Sequence, residues 1–265
     1  MEEHTFVILA YRQSAYLEAC IESLLGQTMK SRVIMATATP SAWLSGIGDR
    51  YGIPIFVRQG AHQMADDWNF ALSAGGAGLV TLAHQDDLYH QTYTERILQA
   101  AGKYPDTLII FTDNALMIDG RRVDRTLNLT IQRMLLWPFC LKQHIRSQWV
   151  RRLTLSFGNP ICCPSVTYYK RNLDQNGPVF QFDRSYPNNL DWEAWIRLAR
   201  QKGAFVYVRE RLMTHRFHQD SETSASLAGE RRRVDDRRIF NLLWPRPVAA
   251  VISRLYALAY RSKHD

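Results

Sequence analysis

The chain opens on an unbroken apolar run, Phe6-Val7-Ile8-Leu9-Ala10, the pattern of a strand covered on both faces. Ser14 stands where it can cap a following helix, in which Leu17, Cys20, Ile21, Leu24 and Leu25 recur at helical spacing. A strand at 33–36 follows, then a helix entered through Thr39-Pro40-Ser41 and a short strand at 55–57. The next helix spans about 64–74 and is stopped by Gly75-Gly76. Apolar runs at 79–83 and 108–111 give two more strands, with a helix around 94–101 between them. Regular β-α-β alternation predicts a mainly parallel sheet with helices on both sides.

After Thr112 the rhythm changes. Asp119-Gly120 reads as a hairpin turn, and helices are expected over 127–137 and 141–153, separated at Pro138. Residues 165–169 suit a strand returning to the sheet. Asn189 is placed to cap a helix over 190–202 closed by Gly203, and 205–208 is the last expected strand. From Ala228 onward two helices are broken at Trp244-Pro245-Arg246-Pro247. The organisation expected is one α/β domain over 1–227, with halves 1–112 and 113–227, followed by a helical tail, 228–265.

Composition narrows the function classes. A net charge of +8 favours anionic partners, and much of the excess lies in the last 35 residues. Val248, Ile252, Leu255, Tyr256 and Ala259 form an apolar stripe beside Arg254 and Arg261, which suits peripheral contact with an anionic membrane and equally suits packing on the domain. The basic residues do not interleave with aromatics and no DNA-binding motif occurs, which argues against nucleic acid. Four cysteines without a CxxC pair read as reduced thiols, so a cytoplasmic protein is expected, peripheral at the inner membrane face if the tail docks there.

In a parallel α/β sheet ligands sit beyond the carboxyl ends of the strands. The strand at 79–83 ends in His84-Gln85-Asp86-Asp87, where adjacent carboxylates suit Mg2+ or Mn2+ bridging to phosphate oxygens. The same residues could instead cap the next helix. Gly75-Gly76-Ala77-Gly78 precedes its strand, so it reads as tight-turn glycines and not as a phosphate loop. Asp191 and Glu193 open a helix, where the dipole favours carboxylates and lowers their pKa; one of them could also be a general base. His215-Arg216-Phe217-His218 offers a metal ligand and a clamp for a diphosphate.

Taken in order, these pieces resemble the family-2 glycosyltransferases, inverting enzymes of GT-A fold, over roughly residues 5–225. The segments that carry the resemblance are 6–12 with 16–17 and 21–28, Asp67-Trp68-Asn69-Phe70-Ala71, Leu82-Ala83-His84-Gln85-Asp86-Asp87, Leu190-Asp191-Trp192-Glu193-Ala194-Trp195, and 215–221. The resemblance implies a GT-A-like α/β/α sandwich and a metal-dependent donor site. Ala10, Tyr11, Arg12, Asp67, Asn69, Gln85, Asp86 and Arg216 would contact the nucleotide-sugar donor, and Asp86, Asp87 and His218 the metal. Asp191 takes the base position, supported by Trp192 and Glu193.

Two departures stand out. His84 replaces the first Asp of the family's DxD motif, and the second strand ends in Thr37 and Thr39 where an Asp usually reads the base; their hydroxyls could serve instead. The activity implied is transfer of a sugar, from a UDP-sugar in most of the family, to a carbohydrate or lipid-linked acceptor hydroxyl with inversion. The alternative is a nucleotide-sugar-binding protein without transferase activity; a basic nucleic-acid-binding protein is a more distant one.

Overall fold

The strands, in chain order, are β1 (His4–Leu9), β2 (Arg32–Thr37), β3 (Ile55–Val57), β4 (Leu79–His84), β5 (Leu88–Tyr89), β6 (Thr107–Ile118), β7 (Arg121–Val123), β8 (His144–Ile145), β9 (Val166–Tyr169) and β10 (Ala204–Phe217). The helices are α1 (Leu17–Leu25), α2 (Ala42–Tyr51), α3 (Met64–Ala74), α4 (Tyr93–Lys103), α5 (Leu127–Leu135), α6 (Trp137–Leu141), α7 (Gln148–Thr154), α8 (Lys170–Asp174), α9 (Leu190–Leu198), α10 (Glu230–Leu243) and α11 (Arg246–Arg261). This computed structural model describes residues 3–175, 179–217 and 230–261.

One sheet runs in the order β3-β2-β1-β4-β9-β6-β10-β5, with β7 added to β6 and β8 to β10. β1, β2, β3 and β4 are mutually parallel, and β10 is parallel to β6. β9 lies antiparallel between β4 and β6, so those two point the same way. Both faces of the sheet are covered. Val7, Ile34 and Val80 join one apolar cluster while Phe6, Ile8 and Met35 join another, which is why these strands are apolar without alternation.

The glycines after α3 do what tight packing asks. An added Cβ at Gly75 would stand 2.4 Å from a Val80 methyl, and at Gly78 2.5 Å from the Glu3 carbonyl oxygen. The expected hairpin forms between β6 and β7, with Asp119 and Gly120 both at positive φ (49° and 73°) as a two-residue turn of this hand requires.

Four expectations are corrected. Pro138 lies in the first turn of α6, where its missing N–H costs nothing, so it starts a helix instead of separating two; β8 then interrupts the stretch expected to be helical. Ser14 does not cap α1, whose N-cap is Tyr16. Asn189 does hold the N-cap position of α9, but its amide donates to Asp236 Oδ1 at 2.9 Å instead of closing the helix end. The last strand reaches Phe217 because register shifts around Arg211 carry it past the charged residues that ended the apolar pattern.

The helices after residue 229 are built into the domain. Ile239, Phe240 and Ala249 are fully buried in the same cluster as Trp192. The Trp192 and Phe240 rings meet edge-on at 5.3 Å, and Trp244 donates Nε1–H to the Ser156 carbonyl at 2.8 Å. Of the two readings of the C-terminal stripe, packing holds for Ile252 and Tyr256, which lie against the core.

Candidate active site

The carboxyl ends of β1, β2, β4 and β10 open into a cavity of about 930 Å³. Ala10, Tyr11, Thr37, Asp67, Gln85, Asp86, Asp87, Asp191 and Arg216 all line it. The fold therefore gathers, from separate segments of the chain, most of the residues singled out in the sequence.

The β1 and β4 ends are clasped to one another. Tyr11 donates its backbone N–H to Gln85 Oε1, and Gln85 Nε2 donates back to the Tyr11 carbonyl, both at 3.0 Å. Gln85 thus sets the floor and spends its amide on it. Arg12 adopts φ 54° and donates its backbone N–H to Thr39 Oγ1 at 2.8 Å, while Thr37 Oγ1 accepts from Thr39 N. Thr39 and Arg12 shape the rim, and only Thr37 of the two threonines faces the cavity.

Asp86 and Asp87 lie in the turn between β4 and β5, and the next helix is preceded by Thr92, so neither carboxylate caps it. Their roles diverge. Asp86 is half-buried on the cavity wall, where its Oδ1 accepts from Ser14 Oγ at 2.8 Å. Asp87 is fully buried; its Oδ1 accepts from His215 Nδ1 at 3.0 Å and from the Arg216 backbone N–H at 2.8 Å. Burial pushes the Asp87 carboxyl up, but His215 and the Arg216 amide outweigh it and hold it below the usual range. Burial likewise opposes the charge on His215, and Asp87 overcomes it, so His215 is raised. Asp87 is an anchor for the end of β10, with its carboxylate already engaged.

That anchor aims Arg216. Its Nε donates to the Asp86 carbonyl at 3.0 Å, and its guanidinium lies 4.3 Å from the centroid of the Tyr16 ring. A fixed cation therefore stands beside Asp86 in the cavity wall.

His84, in register with Leu9, packs its ring 5.6 Å from Trp68. Burial lowers its pKa, which favours the neutral imidazole, and its buried Nε2 has no hydrogen-bond partner among the described residues. The neighbouring α3 residue Asp67 is held by Arg58 and His62. Asn69 turns away: its side chain exchanges hydrogen bonds with the Phe182 backbone at 2.6 and 3.0 Å and does not line the cavity.

Asp191 opens α9. Its Oδ2 accepts from Asn159 Nδ2 at 3.0 Å and its Oδ1 from the Trp192 backbone N–H at 2.7 Å. The helix start was expected to depress its pKa. Burial instead raises it, against the Trp192 and Asn159 hydrogen bonds and the charge of Arg232. Glu193 is buried elsewhere in a two-pronged pair with Arg197, at 2.9 and 3.0 Å, and Trp192 is wholly in the core. Neither lines the cavity. His218 lies outside the described residues.

Sequence reading missed Asn159, Cys162 and Cys163, which enter the cavity through the reversal of β9. Asn159-Pro160 signals a turn and nothing more. Burial pushes both thiols well above their ordinary range, so they are inert walls.

Among solved structures the chain is similar to S. aureus TarS. The structure of TarS 1-349 matches with a TM-score of 0.62 at 12% identity, covering 95% of this chain and 69% of that one. The same fragment in complex with UDP-GlcNAc matches with a TM-score of 0.61 at 13% identity, covering 95% of this chain and 70% of that one. A longer TarS structure gives 0.60 at 12% identity, with 94% of this chain but 42% of that one covered. At such identities the likeness is one of fold, and the fold is GT-A-like. No protein-family model matches the sequence, and no curated protein matches it.

Proposed function

We propose that this chain is an inverting glycosyltransferase of the family-2 type, moving a sugar from a UDP-sugar to an acceptor hydroxyl in polysaccharide or glycoconjugate synthesis. The observation that carries this is the make-up of one cavity: the Asp86 carboxylate and the Arg216 cation at the strand ends, and the raised carboxyl of Asp191 in the same wall. The fold neighbour that holds UDP-GlcNAc supports the donor class.

Asp191 accepts the proton of the acceptor hydroxyl as that oxygen attacks the anomeric carbon. Asn159 and the Trp192 amide fix the two carboxylate oxygens, and burial makes the carboxylate more basic than a solvated one. As the bond from the anomeric carbon to the diphosphate oxygen breaks, the growing negative charge falls beside Arg216. The rigid mount of Arg216 on Asp86 O, Asp87 and Tyr16 means that little reorganisation is needed at that moment.

The metal proposed is Mg2+ or Mn2+. Among the described residues no group of three His, Cys, Asp or Glu is placed to hold a cation alone. The donor set fits a hard cation: the Asp86 carboxylate would hold it, with the remaining ligands left to substrate and solvent. When bound it would neutralise diphosphate charge. Asp87, engaged with His215, supports this site through Arg216 and not as a ligand.

Replacing Asp86 with Asn tests the assignment. UDP titrated calorimetrically into wild-type protein should bind more tightly with Mn2+ than without, and in Asp86→Asn that increment should vanish while thermal stability is kept. An increment equal to wild type would remove Asp86 from the metal site.

A further inference from the structure

Exposed apolar side chains scattered singly call for no explanation, but concentrated ones mark contact surfaces. Sixteen large apolar side chains stand exposed among the described residues, and ten of them are concentrated in 127–157 or on α11. On α5, Leu127, Ile131 and Met134 recur at helical spacing on the outer side, opposite the buried Leu129 and Leu136. On α11, Val248, Val251 and Leu255 do the same, opposite the buried Ala249. Each helix is therefore apolar on the face that packs and again on the face that does not.

The two helices adjoin. A Cβ added at Gly158 would lie 3.3 Å from Tyr256 Cε2 and 3.5 Å from Leu135 Cδ1, so α5 and α11 flank the same glycine. Trp137 and Leu141, 57% and 79% exposed on α6, extend the α5 side, and Trp149 on α7 is 71% exposed.

Charge selects the occupant. From 125 to 173 there is no Asp or Glu but eight Lys or Arg, of which Arg151 and Lys170 are buried and Arg133 and Arg146 are paired with Asp113 and Asp106. From 237 to 264 there is again none, with six Lys or Arg, of which Arg238 is paired with Asp235. Lys142, Arg246 and Arg254 are exposed beside the apolar stripes. A second copy of this chain would bring the same positive charge to the contact. An anionic lipid surface offers both an apolar layer and the opposite sign. No helix among the described residues is long and apolar enough to cross a membrane, so the contact is interfacial.

We infer that the outer face of α5–α7 and α11 docks on an anionic bilayer and thereby opens the acceptor side of the cavity to the membrane surface. Leu127, 73% exposed, is also part of the cavity wall, as are Asn128 on α5 and Tyr256 on α11. The apolar face thus runs to the rim. On the glycosyl-transfer reading, on which this last step rests, the acceptor is a hydroxyl borne by a lipid-linked molecule.

Flotation of the full chain with vesicles tests the surface. The protein should float with phosphatidylcholine vesicles containing phosphatidylglycerol and remain unbound with phosphatidylcholine alone. Met134→Glu/Leu141→Glu and Val251→Glu/Leu255→Glu should each lower binding at least tenfold with unchanged melting curves, since all four side chains are exposed. Flotation of both variants equal to wild type would overturn the proposal, as would failure of wild type to bind. Dimerisation lost in the same variants, with no vesicle binding, would assign the face to a second copy instead. UDP binding measured on the same samples separates the two readings: vesicle binding without UDP binding keeps the surface and removes the transferase.

Discussion

Asp191→Asn should lower turnover by about a hundredfold or more, the usual contribution of a general base, and leave the affinity for UDP and the UDP-sugar near wild type. The asparagine keeps the shape and can still accept from Asn159, so the lost property is the ability to take a proton. The pH profile gives an independent check. Burial sets the Asp191 pKa above the ordinary carboxylate range, and the base works only when ionised. Activity should therefore fall as pH drops through that raised value, above the pH at which a solvated aspartate, at about 3.9, would titrate. Asn159→Ala removes a hydrogen bond that favours the carboxylate, so it should move this acid limb to higher pH. Glu193→Gln should disturb stability through its pair with Arg197 and leave the limb in place. A limb that stays put in Asn159→Ala would assign it to a group other than Asp191, and donor affinity lost in Asp191→Asn would make Asp191 a donor ligand. UDP binding with no turnover in wild type would favour a nucleotide-sugar-binding protein without transfer.

The first half of the fold was legible because its strands are buried on both faces and its helices are amphipathic, so the apolar pattern and the elements coincide. β3 and α3 match the expected spans, and the strand ends that carry Tyr11, Gln85 and Asp86 follow from β1 and β4. Beyond Thr112 the pattern carried less. β6 continues through Asp113 and Asn114, where Asp113 is neutralised by Arg133 at 3.0 Å; that partner is twenty positions away and leaves no periodic trace. The direction of β9, which brings Asn159 to Asp191, is a property of the sheet and not of a local run. The opposed fates of Asp86 and Asp87 were equally hidden. Adjacent carboxylates look alike in sequence, and only the arrival of His215 at the end of a bulged strand separates them.

That arrival carries the second large effect. Asp87→Ala should destabilise the protein by about 3 kcal/mol, the lower end of the loss expected when one partner of a buried ion pair is removed, because His215 keeps some exposure. The deletion leaves the His215 imidazole and the Arg216 backbone N–H without their acceptor. Chemical denaturation measures the loss, and His215→Gln with the double variant closes a cycle that isolates the pair. Coupling above about 0.5 kcal/mol is expected for groups in direct contact; additive losses would mean that Asp87 acts through the Arg216 amide alone. The consequence reaches the site. With β10 no longer tied to the β4 turn, the Arg216 guanidinium loses its mount, and UDP should bind several-fold more weakly even in the fraction that remains folded. Asp87→Asn, which can still accept from the Arg216 N–H, should recover most of that binding and less of the stability. A variant that loses stability but binds UDP as tightly as wild type would show that Arg216 is held by Asp86 O and Tyr16 without help from Asp87.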